Sequence, residues 1–376
     1  MQMTPLLSGA GITAVTWCRA SPLCHRDIDT IIRLKRTYSA VLVFLLPLAG
    51  GRLTPATQVK LFRSTFGDQS GVLGVPMQGA AATVAQIREG VLAQLGQYFT
   101  QAPTSLSFTP GPWPADTDLD AAAKTLLAQA QKRFGSTNCQ LDRSVIMAHD
   151  QVRQQIEAQP LANWAQIAPQ FRRHYKVNVA LVGGASTGKT QLAQDLSNYY
   201  AVPVSDEYAR AYQPARNVMD TELDGRDFRA ILEGQYDRNR AVIEDPYAPG
   251  LFIADTETIT SATYLKLMLA AEYTRLKPLI ADLVARSQWT LLLVLPPQAP
   301  FVEDGYRGAA MGEANWRQTY YDTLQALLHQ YYAPAQIVTL DALPNAAHHD
   351  LDGYYARFNQ AVRYIDAAMA TGGKTC

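Results

Sequence analysis

The chain has 376 residues, 48% of them hydrophobic and 18% charged, a composition that excludes a disordered or fibrous protein. Its formal charge of zero divides unevenly: residues 1–176 hold 17 Lys and Arg against 10 Asp and Glu, and residues 177–376 hold 16 against 23. Length and charge split point to two differently built domains, and with no dense basic cluster interleaved with aromatics, nucleic acid is not an expected partner.

The N-terminus shows no basic region ahead of an apolar one, so a cytoplasmic protein is expected. Thr13 to Trp17 reads as a strand and Ile28 to Thr37 as a helix. The most apolar run, Ala40 to Ala49, contains Pro47 and falls far short of the roughly 20 residues of a membrane helix, so Val41 to Leu46 reads as a core strand. Pro55 to Phe66 reads as a helix, Gln101 to Asp118 as a Pro-rich loop, and Leu119 to Phe134 as a helix. Residues 1–158 would then be one domain, residues 159–175 a linker centred on Asn163 to His174, and residues 176–376 the second domain. Cys18, Cys24, Cys139 and Cys376 form no C-x-x-C pair, and His348 and His349 have no Cys or His at metal spacing, so neither a disulfide framework nor a zinc site is expected.

The second domain opens with Val177 to Val182, a β-branched run typical of a buried parallel strand. It leads into Gly183, Gly184, Ala185, Ser186, Thr187, Gly188, Lys189, Thr190 and Gln191, which satisfy G-x-x-x-x-G-K-S/T. Leu192, Leu196 and Tyr199 then recur at helical spacing. Strand, glycine loop and helix start come in the order a phosphate loop needs: backbone N–H groups wrap the phosphates of ATP, Lys189 reaches the β/γ oxygens, and the Thr190 hydroxyl ligates Mg²⁺. Val202 to Val204 reads as the next strand, leaving Asp206, Glu207, Tyr208 and Arg210 at its C-terminal end, where an acceptor would bind; a solvated helix start is the alternative. The strand in "GLFIADTET" ends in Asp255, which suits Mg²⁺ binding beside the loop, with Glu257 able to share it; a helix cap before Thr258 is the competing reading. Leu291 to Leu295 reads as a buried strand leading to Asp304, Gly305, Arg307 and Gly308, a glycine-flanked loop of the kind that carries a mobile cation over a γ-phosphate, with Arg317 as a second candidate.

Taken together, "PLANWAQIAPQFRRHYKVNVALVGGASTGKT", "DEYARAY", Gly234-Gln235, "ADTET" and "FVEDGYR" resemble the ribosylnicotinamide kinase domain of NadR-type proteins over residues 160–366. The resemblance implies transfer of the ATP γ-phosphate to the 5′-hydroxyl of nicotinamide riboside. Lys189, Asp255, Glu207 and Arg307 would act in catalysis, Thr190 and Asp255 would hold Mg²⁺, and Asp206, Glu207, Tyr208, Arg210, Glu257 and Asp304 would hold the nucleoside. Two departures, Glu257 where the family has Asp and Phe301 where it has Trp, bear on acceptor fit. The same family often places a nucleotidyltransferase domain ahead of the kinase. Here "ITAVTWCRASPLCHRDIDTI" is a worn version of its first motif: Pro22 is kept, Cys24 and Asp27 stand for the two histidines, and Glu157 stands where the second motif has arginine. The expectation is an α/β protein with a degenerate, Rossmann-like nucleotidyltransferase domain before a P-loop kinase domain with a parallel sheet, with adenylyl transfer lost because carboxylates would repel a triphosphate. The partner is a small nucleoside, and homo-oligomerisation is left open. Two rivals remain, a P-loop ATPase or GTPase and a non-catalytic pyridine-nucleotide sensor.

Overall fold

The computed structural model describes residues 7–8, 10–47, 52–67, 71–78, 83–109, 111, 118–135, 137–144, 150–298, 301, 312–340 and 351–372. The chain divides into two compact units, Met1–His174 and Tyr175–Cys376.

In the first unit β1 (Ile12–Cys18), β2 (Ala40–Leu45), β3 (Val72–Pro76), β4 (Ser105–Phe108) and β5 (Asn138–Leu141) form a parallel sheet ordered β3-β2-β1-β4-β5. The β-branched and apolar residues of β1 and β2 are buried on both faces, as a sheet covered by helices on each side requires. Those helices are α1 (His25–Thr37), α2 (Pro55–Phe66), α3 (Val84–Gln94), α4 (Leu119–Phe134) and α5 (Asp150–Ala158). Strand order reverses between β1 and β4, the place where such sheets usually open a ligand crevice. Here Gly111 closes on the end of β1, since a Cβ on it would lie 1.9 Å from the Trp17 carbonyl oxygen.

Three sequence expectations change. The helix expected from Ile28 starts at His25, because Cys24 and Asp27 cap it. The expected Gln101 to Asp118 loop contains β4, a Ser-Leu-Ser-Phe strand buried between β1 and β5; its polar alternation and Pro-rich flanks gave it the look of a loop. Residues 159–174 pack within the first unit: Ala168 N–H donates to the Leu23 carbonyl at 2.9 Å, and Ile167, Ala168 and Phe171 are fully buried.

The second unit is built around β6 (Val177–Val182), β7 (Val204–Ser205), β8 (Leu251–Asp255), β9 (Leu291–Val294) and β10 (Ile337–Thr339), parallel and ordered β10-β9-β6-β8-β7. Its helices are α6 (Lys189–Tyr200), α7 (Ala209–Arg216), α8 (Gly225–Glu244), α9 (Thr258–Met268), α10 (Ala270–Arg286), α11 (Ala314–Tyr331) and α12 (Leu351–Ala370). The strand expected at Val202 to Val204 is shorter and later, Val204–Ser205, since Pro203 has no N–H for the ladder. None of the described helices is long and apolar enough to cross a membrane.

Candidate nucleotide and acceptor site

The central strand β6 is buried along its whole length and runs between β8 and β9. Its C-terminal end delivers the glycine loop. Gly183 has φ +158° and a Cβ there would meet the Leu295 carbonyl at 2.8 Å, while Gly188 has φ +88° in the left-handed region and precedes α6. These two positions demand glycine, which is why the motif carries it there. The Thr187 hydroxyl donates to the Gly184 carbonyl at 3.0 Å, and Lys189 Nζ donates to the same oxygen at 2.9 Å, curling the ammonium back over the loop. Gln191 instead faces outward and donates to Asp195 at 3.0 Å.

Asp255 closes β8 in register with Leu181 of β6. That pairing sets its carboxylate beside the start of α6, where Thr190 Oγ1 donates to Asp255 Oδ2 at 2.5 Å. Its second oxygen, Oδ1, is buried without a hydrogen-bond partner. Burial raises the Asp255 pKa, as does nearby Glu207, while Lys189, the Thr190 hydrogen bond and Arg210 work against the rise. An orphaned carboxylate oxygen beside a hydroxyl fits a hard cation that completes its shell with phosphate oxygens and water, so the residues present suit Mg²⁺.

Of the residues expected to meet an acceptor, Glu207 and Arg210 lie within electrostatic reach of Asp255. Glu207, with its side chain 14% exposed, pairs with Arg210 at 3.2 Å. Asp206 is exposed, and Tyr208 is half-buried. Glu257, expected to join the acceptor or the metal, is the N-cap of α9: it accepts from the N–H groups of Ile259 and Thr260 at 2.8 and 3.2 Å and from the Tyr332 hydroxyl at 3.0 Å. Burial pushes its pKa up to about 7. The helix-cap role weighed for Asp255 thus falls to Glu257. Asp304, Gly305, Arg307 and Gly308 lie outside the described residues.

Two arginines reach the loop from the far end of the chain. Arg317 of α11 donates to the Ser186 carbonyl at 3.4 Å, and Arg357 of α12 donates to the Thr187 carbonyl at 3.3 Å and to Gln298 at 3.1 Å. Sequence reasoning missed Arg357, whose helix carries no local sign of it.

In the first unit the worn motif forms a closed cluster. The Cys24 thiol and backbone N–H both donate to Asp27, at 3.0 and 3.1 Å. Arg153 of α5 donates through one nitrogen to both Asp27 oxygens at 2.7 Å, and its Nε donates to the Arg19 carbonyl at 2.6 Å. The side chains of Arg153 and Asp27 are 1% and 0% exposed. Burial, with Asp27 adding to it, pushes the Cys24 thiol up to about 12. Glu157 pairs with Arg52 at 3.2 Å and accepts from Ser21 at 3.3 Å. Each of the two carboxylates expected to repel a triphosphate faces an arginine distant in sequence.

Fold and site define the class: an α/β chain whose second unit carries a phosphate loop at the end of the central strand of a parallel sheet. Residues 178–341 match the AAA domain family. In sequence the chain is similar to the trifunctional NAD biosynthesis/regulator protein NadR of Salmonella typhimurium, 26% identical over 182 residues that make up 47% of this chain and 41% of that protein. It thus spans less than half the length of the relative it matches. In fold it is NadR-like over nearly its whole length: a crystal structure of NadR protein in complex with NR, and another in complex with NAD and AMP-PNP, each superpose with TM-score 0.76 at 24% identity, covering 99% of this chain and 98% and 99% of theirs.

Proposed function

We propose that the second unit is a Mg-ATP-dependent ribosylnicotinamide kinase, converting nicotinamide riboside and ATP to nicotinamide mononucleotide and ADP. The observation that carries this reading is Asp255, which accepts from Thr190 of the phosphate loop and lies within electrostatic reach of Glu207 and Arg210. An ATPase needs only the first half of that arrangement. The NadR structure holding NR supports the choice of acceptor.

In this reading the N–H groups from Gly183 to Thr190 and the start of α6 hold the phosphates, and Lys189 swings from the Gly184 carbonyl to the β/γ oxygens. Thr190 and Asp255 would hold Mg²⁺, which would neutralise charge on the transferring group. Glu207 orients the 5′-hydroxyl and takes its proton as the oxygen attacks phosphorus and the bond to ADP breaks. Asp206, Tyr208 and Arg210 contact the nucleoside, and Arg307 is the mobile cation. Asp304 contacts the nucleoside in the same way, whereas Glu257, engaged as the N-cap of α9, serves that helix rather than the acceptor. The test is a panel of nucleosides with Mg-ATP, scored for monophosphate. Nicotinamide riboside should be the preferred acceptor; nucleoside-independent hydrolysis alone would support an ATPase instead.

For the first unit we propose that adenylyl transfer is lost. The support is the buried Asp27–Arg153 pair, which occupies the start of α1, where a nucleotidyltransferase presents groups to ATP.

A further inference from the structure

On one face of α8, Gly234, Gln235 and Arg238 touch the segment that follows β7, and Asn239 touches the end of β7 itself. The Tyr208 ring lies on Gly234, where a Cβ would come within 2.4 Å of it. Arg238 sits over the same ring at 5.1 Å and donates to the Asp206 carbonyl at 3.3 Å. Gln235, fully buried, accepts from the Tyr208 N–H at 2.7 Å and donates to Asn239 Oδ1 at 3.3 Å. Asn239, also buried, accepts from the Ser205 hydroxyl at 2.7 Å and donates to the Thr256 carbonyl at 3.2 Å. Thr256 follows Asp255 directly and has φ +96°, a conformation a β-branched residue avoids unless its surroundings hold it.

We infer that Gln235 and Asn239 are positioning residues that couple the acceptor segment to the metal-binding end of β8. Each amide has one hand on residues 205–208, directly or through the other amide, and Asn239 has the second on Thr256. An i,i+4 spacing on one rigid helix keeps the two amides in line. The chain of hydrogen bonds links the position of Glu207 to the backbone that aims Asp255. These bonds also satisfy the Tyr208 N–H and the buried Thr256 carbonyl, so their stabilising share is separated from positioning by the kinetic readouts below. The inference rests on the kinase reading for its acceptor half, but its metal half does not.

The full chain carrying Asn239→Leu, Gln235→Met or Gln235→Glu tests it. Two quantities are measured: nucleoside phosphorylation, and the gain in affinity for a non-hydrolysable ATP analogue when Mg²⁺ is added. Asn239→Leu should lower kcat on the order of tenfold or more and reduce the Mg²⁺-dependent gain, with metal-free analogue affinity held within about twofold. Gln235→Met should raise the nucleoside KM with the ATP KM little changed. Gln235→Glu, which keeps the acceptor for Tyr208 N–H but loses the donor to Asn239, should recover the nucleoside KM only in part. The double variant Gln235→Met/Asn239→Leu should cost less than the two singles together, as members of one network do. A lower melting temperature with kcat, both KM values and the Mg²⁺ gain unchanged would overturn the inference. If Asn239→Leu does not fold, the Gln235 pair decides by the same criteria. If the wild-type chain phosphorylates no nucleoside, the kinase reading falls, and an unchanged Mg²⁺ gain in the variants would then overturn the inference separately.

Discussion

Lys189 is 6% exposed, and its ammonium donates to the Gly184 carbonyl. Its ammonium is valuable where charge develops on a transferring phosphate. Lys189→Ala should therefore cut phosphoryl transfer on the order of a hundredfold or more while leaving the urea midpoint close to wild type; near-normal turnover would remove the central claim. Asp255→Asn keeps the size of the side chain but removes the charge a hard cation needs, and it should raise the Mg²⁺ concentration for half-maximal activity well beyond any change in nucleoside KM. His174 bears on pH. Burial, aided by neighbouring Arg173, lowers its pKa from 6.5 to about 4. In the unfolded chain the imidazole takes up a proton near 6.5, while in the folded chain it stays neutral to about 4. The stability tied to this group is thus present above pH 6.5 and lost as pH falls toward 4. Denaturant titrations at pH 7 and pH 5 should show a smaller drop for His174→Gln than for wild type, and equal drops would contradict the assignment.

At the scale of elements, α1 and α5 are locked by Asp27 and Arg153. Breaking a buried pair by removing one partner typically costs about 3–5 kcal/mol, because the other charge is left in a low-dielectric interior. Arg153→Met should show a loss of that order in chemical unfolding. Adding Asp27→Asn should restore much of it, since a neutral amide needs no counter-ion there. A double variant as unstable as the single one would mean that α5 depends on Arg153 for packing or for its bond to the Arg19 carbonyl. The same element pair explains why Cys24 should resist thiol reagents in the native protein: it is buried, and burial keeps it protonated at neutral pH.

At the scale of the whole chain, two parallel five-stranded sheets stand in tandem, and both have the strand-order reversal that commonly marks a ligand crevice. The second unit lines its reversal with glycine loop, lysine and carboxylate. The first packs its own with Gly111 against Trp17 and, at the start of α1, with an internal ion pair. Incubation with nicotinamide mononucleotide and Mg-ATP should therefore give neither NAD nor pyrophosphate at a steady rate. NAD formation that persists in Lys189→Ala would refute the loss of adenylyl transfer.

Features set within a few residues of chain were legible in the sequence. The phosphate loop declares itself because positive φ at Gly188 and the tight approach at Gly183 admit only glycine, and because strand and helix must flank them. Asp255 was legible for a similar reason, as the first polar residue after a buried apolar run. The α8 dipeptide Gly234-Gln235 was visible as a motif but silent as to role. What only the tertiary structure decided is what lies far apart in the chain: the partner of Asp27 comes from 126 residues away, and the Arg357 that reaches Thr187 from 170. It also decided that β4 is a strand, because burial between two neighbours outweighs its polar alternation. Local backbone geometry is a property of the residues that adopt it, so it is written beside them. Charge pairing and burial depend on which surfaces the fold brings together, and no window of sequence contains both sides.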